Sequence, residues 1–328
     1  MGIGRLRLAT VAMAACAAVL GTATPGIAGI PDTKTRLDPN TAVADDGTMS
    51  GVPRSLGGLR GVNGYDGTGV TGGDGASHEP DTSKIGPPID DGVGVQSVFL
   101  PDGRVRQNPT TSFPSRATVF LTRTIPNGDG TFRTIAWCSG WMIGADTLAT
   151  AGHCLNTGGG GAWYPTGEFR AWPGANGSVR PYGSCTARRL HSVVGWTVDG
   201  NRNFDYGAIK LNCTVGNTVG WYGMWWQTAT LTGLSTTVRG YPVDKPFGEQ
   251  WFHSDQVRIT EDRRIFYRND TFNGHSGSPV YQNRAAGSPF CVGQCSMGIH
   301  TTGGSTNNGG TRMVEPVFNN LIAWRDAA

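Results

Sequence analysis

The chain has 328 residues and carries 27 basic and 24 acidic side chains, which leaves a formal net charge of +3. This charge is modest and scattered, and the lack of a basic cluster in the sequence argues against a nucleic-acid-binding protein. Beyond the N-terminal region no segment is apolar and long enough to cross a membrane, which argues against an integral membrane protein.

Residues 1–28 have the composition of a secretory signal. Two arginines supply the positive region, and residues 8–20 are apolar apart from one threonine. That stretch is too short to span a bilayer, and Ala28 ends a suitable cleavage sequence. Cys16 faintly resembles the cysteine of a lipoprotein signal, but the apolar run continues past it. We therefore expect an exported, soluble, extracellular product.

Residues 29–96 are rich in Gly, Asp and Pro and poor in large apolar side chains. Such a segment buries too little surface to offset the entropy of ordering, so we expect it to be mostly disordered. It carries 10 acidic and 5 basic residues, net −5, whereas residues 97–328 carry 20 basic and 14 acidic residues, net +6. An acidic leader before a basic body indicates a propeptide that is later removed. A solvated tail without a role is the alternative.

Short strand-like stretches dominate the body from residue 116 onward. Each is bounded by Gly, Pro, Asn or Asp, and they read RATVFLTRT, SGWMIGADTLATA, FDYGAIKLN, TTVRGYP, RRIFYRN and SMGIHTT. Many short strands separated by turn residues predict an all-β sandwich or barrels. The exception is EPVFNNLIAWRDA, whose apolar residues recur at helical spacing and predict a terminal amphipathic helix.

Apart from Cys16 the chain has an even number of cysteines, which in an exported protein indicates disulfides. They are Cys138, Cys154, Cys185, Cys213, Cys291 and Cys295. A zinc site is the alternative, but the sequence contains neither a CxxC pair nor a His-x3-His spacing.

The stretch NGHSGSPVY, residues 273–281, contains a candidate serine nucleophile. A serine hydroxyl needs a base to take its proton, and that base is usually a histidine held by a carboxylate. The α/β-hydrolase order of Ser, acid and His does not fit this chain. Ser278 replaces the last glycine of the elbow motif, and after Ser276 the only histidine, His300, precedes every remaining acid.

The order His, Asp, Ser on a β scaffold can be met instead. His153 lies in TAGHC, where the preceding glycine permits close packing and Cys154 can tie the loop to Cys138. A disulfide loop of that size contributes on the order of 3 kcal/mol in the chain-entropy model. Among the acids between His153 and Ser276, Asp205 opens the apolar stretch DYGAIKL, where it can reach the histidine while shielded from water.

These motifs resemble those of the chymotrypsin-like serine proteases. TAGHC, FDYGAIKL and GHSGSPV occur in the family's order, and the likeness runs from about residue 97 to the end. The closer likeness is to bacterial glutamyl endopeptidases of Bacillus, Staphylococcus and Streptomyces type. CSGWMIG, GNTVGWYG, RGYPVDK, GIHTTGG and GTRM fit these enzymes.

The resemblance implies a fold of two six-stranded antiparallel β-barrels, at about residues 97–215 and 216–328, with the site between them. It implies that His153 is the general base and acid, that Asp205 orients it, and that Ser276 is the nucleophile. The N–H groups of Ser276 and Gly274 would form the oxyanion hole, with Gly277 and Ser278 in structural roles. We also pair Cys291 with Cys295, as a tight loop before the pocket strand, and Cys185 with Cys213 by elimination.

His275 occupies a position where chymotrypsin has an aspartate that pairs with the freed N-terminal ammonium. A histidine cannot form that ion pair, and the bacterial glutamyl enzymes usually have an amide side chain here. We therefore interpret His275 as a turn residue whose backbone shapes the oxyanion loop.

For specificity, His300 lies where glutamyl endopeptidases carry the histidine that binds a substrate carboxylate. An imidazole with hydroxyl neighbours can hold a glutamate side chain, and Thr301, Thr302 and Thr271 are the candidate neighbours. The alternative is a satisfied structural histidine. Trypsin's pocket-base aspartate has no evident counterpart, because Asp270 belongs to the DT pair of the resembled family.

The resemblance also places the mature N-terminus near Ser97 or Val98. In this family the freed terminus can approach the specificity pocket, so that removal of the leader would complete the site.

The sequence therefore predicts a secreted serine endopeptidase that cleaves protein or peptide substrates after Glu, or after Asp. We expect a monomer that needs no cofactor, nucleic acid or membrane. Structural calcium stays open, since some relatives bind it but no dense acidic loop is visible here. A protease of this fold with another preference is one alternative. A non-catalytic secreted binding protein is another, suggested by the 10 tryptophans.

Overall fold

A computed structural model describes residues 36–51, 64–68 and 97–328. The predicted signal segment lies outside these residues, and so does most of the predicted leader.

Strands make up most of the described secondary structure. They are β1 (Ala42–Ala44), β2 (Met49–Ser50), β3 (Gly64–Tyr65), β4 (Val105–Arg106), β5 (Thr118–Pro126), β6 (Phe132–Met142), β7 (Thr147–Thr150), β8 (Phe169–Pro173), β9 (Cys185–Val193), β10 (Gly207–Leu211), β11 (Gly223–Trp225), β12 (Ser235–Gly240), β13 (Trp251–Thr260), β14 (Arg264–Tyr267), β15 (Pro279–Arg284), β16 (Gly293–Thr302) and β17 (Asn308–Arg312). The α-helices are α1 (Val194–Thr197), α2 (Gly216–Val219) and α3 (Glu315–Asp326), and single 3-10 turns lie at Ser115–Ala117, Gly152–Cys154, Thr166–Glu168 and Arg202–Phe204.

Six antiparallel strands close the first barrel. They follow the order β10-β7-β6-β5-β8-β9, and β9 pairs back onto β10. Alternation along β5 directs every second side chain inward. Val119 and Leu121 are fully buried and share one apolar cluster with Trp141 and Leu148.

The second barrel repeats this arrangement. Its strands follow the order β15-β12-β13-β14-β17-β16, and β15 closes it by pairing with β16. Val238, Val257, Tyr267 and Met297 belong to its fully buried core. Two smaller strands extend it, because β4 pairs with β13 and β11 runs parallel to β16. The predicted pair of six-stranded antiparallel barrels is confirmed.

Two segments of the predicted leader, which we expect to be mostly disordered, are ordered. Strand β1 pairs with the end of β9, and β3 pairs with β11. They belong to the same compact unit as the body, which spans Leu37–Ala328. The small apolar run Ala42-Val43-Ala44 and the tyrosine at position 65 supply the buried contacts that the overall composition of the leader did not suggest.

The chain ends in the predicted amphipathic helix, α3. Phe318, Leu321 and Trp324 are buried and join the apolar cluster of the first barrel. Within the described residues no helix is both long and apolar enough to span a membrane.

The six body cysteines pair as the sequence analysis proposed. Cys138 bonds to Cys154, Cys185 to Cys213, and Cys291 to Cys295. The first of these disulfides joins β6 to the 3-10 turn that contains His153.

Replacing Leu321 by alanine tests the contribution of helix α3. The side chain is fully buried, so the substitution should leave a cavity and reduce the free energy of unfolding by about 2–5 kcal/mol. Val179→Ala is the control, because Val179 is 58% exposed and its truncation should change stability by no more than about 0.5 kcal/mol. Urea titration in a Ser276→Ala background, which prevents self-digestion, measures both. Equal midpoints for the two variants would show that α3 does not stabilise the barrel.

Candidate active site

A cleft of about 370 Å³ lies between the two barrels. The first barrel and the loops at its rim contribute Trp137, Cys138, His153, Thr157, Tyr164 and Trp196, and the loop between β14 and β15 contributes Asn273, Gly274 and Ser276. The structure thus brings the predicted base and the predicted nucleophile to one cavity, although 123 positions of sequence separate them.

The Asp205 carboxylate holds His153 at two points. Its Oδ1 accepts the backbone N–H of His153 at 2.8 Å, and its Oδ2 lies 2.7 Å from the ring Nδ1. An ionised carboxylate only accepts hydrogen bonds, so Nδ1 carries the ring proton and Nε2 keeps its lone pair. This is the tautomer that a general base needs.

The side chains of Asp205 and His153 differ in their exposure to solvent. The Asp205 side chain is 3% exposed, whereas the His153 side chain is 31% exposed. The carboxylate is therefore shielded from water while the imidazole keeps access to the cleft. Asp205 lies just before β10, and its backbone carbonyl accepts the Thr311 hydroxyl from the second barrel at 2.8 Å.

The pKa of His153 is raised above its ordinary value. Burial alone would lower it, but the charge of Asp205 and the hydrogen bond that its carboxylate accepts from the ring outweigh burial. The same interaction stabilises the imidazolium that forms when His153 takes a proton.

Gly152 permits the close packing that the TAGHC motif suggested. A Cβ at this position would lie 2.9 Å from the Trp196 ring and 3.1 Å from the Asp205 carboxylate. A larger residue would therefore require Trp196 or the Asp205 carboxylate to shift.

Ser276 lies in a turn that requires two glycines. Gly274 has a φ of +97°, and a Cβ there would lie 2.4 Å from the Tyr241 carbonyl oxygen. Gly277 has a φ of +85°, and a Cβ there would lie 2.1 Å from the Thr150 hydroxyl. Residues with a Cβ rarely adopt such φ values, so both glycines are structural requirements of the nucleophile loop.

Ser139 anchors this loop and was missed by the sequence analysis. Its hydroxyl donates to the Gly274 carbonyl at 2.8 Å and accepts the Tyr241 N–H at 2.9 Å. Its backbone N–H donates to the Ser276 carbonyl at 2.8 Å. The first barrel therefore fixes the orientation of the peptide groups next to the nucleophile. The sequence feature that could have identified it is its place in CSGW, directly after Cys138, which forms a disulfide with the neighbour of His153.

His275 is fully buried and does not line the cleft. Its Nδ1 accepts the Phe272 N–H at 3.1 Å, which closes the turn. Burial, with a smaller effect from the positive charge of Arg104, lowers its pKa to about 3. The ring is therefore neutral at pH 7, and this geometry supports its interpretation as a turn residue.

His300 is fully buried on β16, where its backbone N–H donates to the Ser278 carbonyl at 2.9 Å. Its Nδ1 lies 2.8 Å from the Tyr267 hydroxyl. Burial lowers its pKa well below the ordinary value, and the nearby rings of His275 and His153 add to this effect. His300 is therefore neutral. Tyr267 was not predicted as a site residue, because nothing in RRIFYRN marks one aromatic residue as a partner of a distant histidine.

Several buried polar atoms of His300, of the predicted specificity threonines and of the nucleophile loop have no hydrogen-bond partner among the described residues. They are Nε2 of His300 and the hydroxyl oxygens of Thr271, Thr301 and Ser278. His300, Thr271 and Thr301 are not among the residues that line the cleft. Buried polar atoms are normally paired, so each of these atoms is available for a hydrogen bond to a ligand. Thr302 differs from these, since its hydroxyl accepts a hydrogen bond from Arg264.

This fold and this site define a class of protein: the serine proteases built on two β-barrels. Comparison with known proteins identifies the family. The model of the trypsin family matches residues 104–324, and the chain belongs to this family.

Two curated relatives cover most of the body. The chain is 41% identical over 237 residues to a glutamyl endopeptidase of Bacillus licheniformis, and this alignment covers 71% of each protein. It is 43% identical over 229 residues to a protein of Bacillus subtilis named extracellular metalloprotease, covering 70% of this chain and 69% of that one. A solved structure of a Glu endopeptidase in complex with MPD is 28% identical, with a TM-score of 0.59, and covers 70% of this chain and 100% of its own. The resemblance to glutamyl endopeptidases is confirmed, and the chain is a serine endopeptidase of this type.

The name of the Bacillus subtilis relative describes metal chemistry, which the site residues of this chain do not match. Among the described residues, Cys138, His153 and Cys154 are the group whose ligand atoms lie close enough together to hold a metal ion. Both cysteine sulfurs are joined in a disulfide, so neither is available as a thiolate ligand.

Asp205→Asn tests the role of the carboxylate. An amide at this position can donate to Nδ1 and so favours the tautomer with the proton on Nε2, which cannot accept the serine proton. We expect kcat to fall by about 10³–10⁴-fold with the fold unchanged. Peptide hydrolysis and circular dichroism measure the two effects.

Asp199→Asn is the matched control, since Asp199 is an exposed acid close in sequence. It should keep near-normal kcat. A variant at Asp205 that kept full activity would remove this carboxylate from the mechanism.

His275 should make the protein less stable in acid. The unfolded chain binds a proton at this residue below about pH 6.5, but in the folded protein the pKa is about 3. Between these values the unfolded state holds more protons, so stability decreases as the pH is lowered through this window. His275→Gln in a Ser276→Ala background should therefore show a smaller loss of stability between pH 6.5 and 4, measured by urea unfolding.

Measurement at pH 8 gives the structural cost of the same substitution, because the ring is then neutral in both states. If the free energy of unfolding of the variant changed with pH as steeply as that of its parent, the burial of a neutral His275 ring would be contradicted.

Proposed function

We propose that this protein is a secreted endopeptidase that hydrolyses peptide bonds after Glu, or after Asp, by a Ser-His-Asp acyl-enzyme mechanism. The observation that carries the proposal is a buried, neutral His300 whose Nε2 has no partner among the described residues and whose carbonyl accepts the N–H of Gly277, directly after Ser276, at 2.8 Å.

In acylation, the Ser276 Oγ attacks the carbonyl carbon of the substrate while its proton passes to Nε2 of His153. Asp205 keeps the Nδ1 proton in place and stabilises the imidazolium. The negative charge on the substrate oxygen is met by the N–H groups of Gly274 and Ser276, and loss of one such donor costs about 10²–10³-fold in kcat. The tetrahedral intermediate collapses, the C–N bond breaks, and His153 returns the proton to the leaving amine.

In deacylation, water takes the place of the amine. His153 accepts a proton from the water as the oxygen attacks the acyl carbon, and the Ser276 oxygen leaves with that proton. Serine, histidine and aspartate supply all the groups required, so we propose no cofactor for the reaction.

His300 is the proposed receptor for the substrate carboxylate. If the Tyr267 hydroxyl donates to Nδ1, then Nε2 carries the proton and donates to the glutamate side chain. The hydroxyls of Thr271 and Thr301 are also buried and lack partners among the described residues, so they can donate to the same carboxylate. Tyr267 accounts for one of the two ring nitrogens of His300, which leaves Nε2 available for the substrate.

Cleavage of the chain between the leader and the body is the proposed activation step. The N–H of Ser97 donates to the Asn308 side chain at 3.0 Å, and its carbonyl accepts the Thr271 N–H at 3.1 Å. Asp270 accepts the N–H groups of Phe99 and Gly103 at 2.6 and 2.7 Å. A cut before Ser97 would thus create an ammonium group already held next to Thr271, where it can attract the substrate carboxylate.

These assignments imply three processing units. Residues 1–28 would be a signal peptide, 29–96 a propeptide, and 97–328 the protease. Three disulfides fit an oxidising, extracellular compartment. We propose a soluble monomer that acts on protein substrates.

A proteome-derived peptide library tests the specificity. Processed enzyme should cut after Glu, with weaker cuts after Asp, and the Ser276→Ala variant should make none. His300→Ala should lower kcat/KM for a Glu substrate by at least about 100-fold and much less for its Gln isostere, because a buried charged contact is lost. Mass spectrometry of the products and peptide kinetics are the measurements.

Thr271→Val and Thr302→Val form a matched pair for the pocket. The first removes a hydroxyl without a partner among the described residues, and the second removes one that Arg264 already occupies. The first alone should reduce the preference for Glu over Gln. Cuts spread over other residues in the wild type would leave the protease and remove the glutamyl assignment.

A further inference from the structure

Strand β1 of the leader completes an edge that the first barrel leaves open. Strand β8 pairs with only the first two residues of β9 on that side, Cys185 and Thr186. Strand β1 pairs with the last three, since Ala42, Val43 and Ala44 lie opposite Val193, Ser192 and His191. Unpaired strand edges bind other strands readily. The leader therefore occupies a binding edge that the body would otherwise expose.

Side chains and loops around β1 extend this contact. The Asp45 carboxylate accepts the Thr166 hydroxyl at 2.6 Å and the Leu190 N–H at 3.2 Å. Asp46 forms an ion pair with Arg189. At the other end of the strand, the Asn40 carbonyl accepts the Asn320 side-chain N–H of helix α3 at 2.9 Å. Acidic groups of the leader thus meet basic and polar groups of the body.

Residues 64–68 make a second, separate contact. Gly64 and Tyr65 pair with β11, and the Tyr65 hydroxyl donates to the Ile143 carbonyl at 2.7 Å. The Thr68 hydroxyl accepts the Trp221 N–H at 2.8 Å, and the Asp66 carboxylate accepts the Val292 N–H at 2.7 Å.

Both contacts are closely fitted. Thr41 to Ala44 are each less than 10% exposed. A Cβ on Gly64 would lie 2.6 Å from the Met224 carbonyl oxygen, and one on Gly67 would lie 2.5 Å from the Gly223 nitrogen. Such fit is typical of a built interface between strands and not of a tail lying on a surface.

The two segments lie outside the catalytic cleft but support one of its walls. None of the described leader residues is among those that line the cleft. The first N–H groups of helix α1 donate to leader carbonyls, from Val194 to Thr41 at 2.9 Å and from Gly195 to Pro39 at 2.8 Å. Helix α1 carries Trp196, which lines the cleft beside His153.

We propose that segments 37–51 and 64–68 are a structural subunit of the active enzyme, which stays bound to the body after the chain is cut before Ser97. The leader adds strands to both barrels and helps to hold α1, and it leaves the cleft open to substrate. The active enzyme is then a complex of two chains. Of the proposed function, this inference requires only the cut before Ser97 and not the specificity.

The test uses the full chain with Ser276→Ala and a specific protease site inserted directly before Ser97. After the cut, size-exclusion chromatography and native mass spectrometry at about 1 µM protein should find leader and body as a 1:1 complex. Because Arg189 of the body forms ion pairs with Asp45 and Asp46 of the leader, high salt should weaken the complex. Release of the leader from the cut, folded body under these conditions would overturn the proposal.

Two variants locate the contact. Ala42→Glu combined with Tyr65→Ala should release the leader after the cut, because it places a charge in a buried strand and removes the Tyr65 anchor. Met49→Ala should not, since that side chain is 52% exposed. Retention by the double variant would show that these segments do not hold the leader. If the double variant fails to fold before the cut, the unmodified cut chain still decides the question.

The same cut in a chain with Ser276 intact separates a structural leader from an inhibitory one. The complex should cleave substrate peptides, and addition of excess free leader should leave kcat/KM unchanged. Inhibition that increases with added leader would overturn the open-cleft part of the proposal. Because association is measured in the inactive variant, failure of catalysis or of Glu preference does not affect that result.

Discussion

The site depends on one carboxylate of the first barrel, Asp205, which the second barrel helps to position. Asp205 holds both the backbone and the ring of His153, and the second barrel fixes the Asp205 carbonyl through Thr311. Because the carboxylate is buried, its negative charge is poorly screened and raises the pKa of the histidine. The packing of the two barrels against each other therefore also positions the carboxylate on which the base depends.

Both barrels also contribute to the nucleophile loop. It lies in the second barrel, but Ser139 of the first holds its peptide groups. Two glycines with positive φ allow the turn, and a neutral, buried His275 closes it from behind. The Nδ1 of His275 supplies a buried acceptor for the Phe272 N–H, which helps to shape this turn.

The sequence predicted the parts of this structure that depend on local pattern. Alternation predicted the strands, and the order of TAGHC, DYGAIKL and GHSGSPV predicted which residues meet in the cleft. It did not predict Tyr267 beside His300 or Ser139 beside Gly274, because these contacts are set by strand register and not by composition. It also missed the ordered leader segments: composition averaged over residues 29–96 hides three small apolar residues and one tyrosine that fit open positions on the barrels.

The most direct test of this account is covalent labelling of the nucleophile. A fluorophosphonate reagent reacts with a serine only when a neighbouring base has activated it. Peptide mapping of the labelled protein should place one adduct on Ser276 and none on Ser278, and the labelling rate should decrease as pH is lowered through the pKa of His153. Labelling at Ser278, or no labelling of folded and processed protein, would contradict the account.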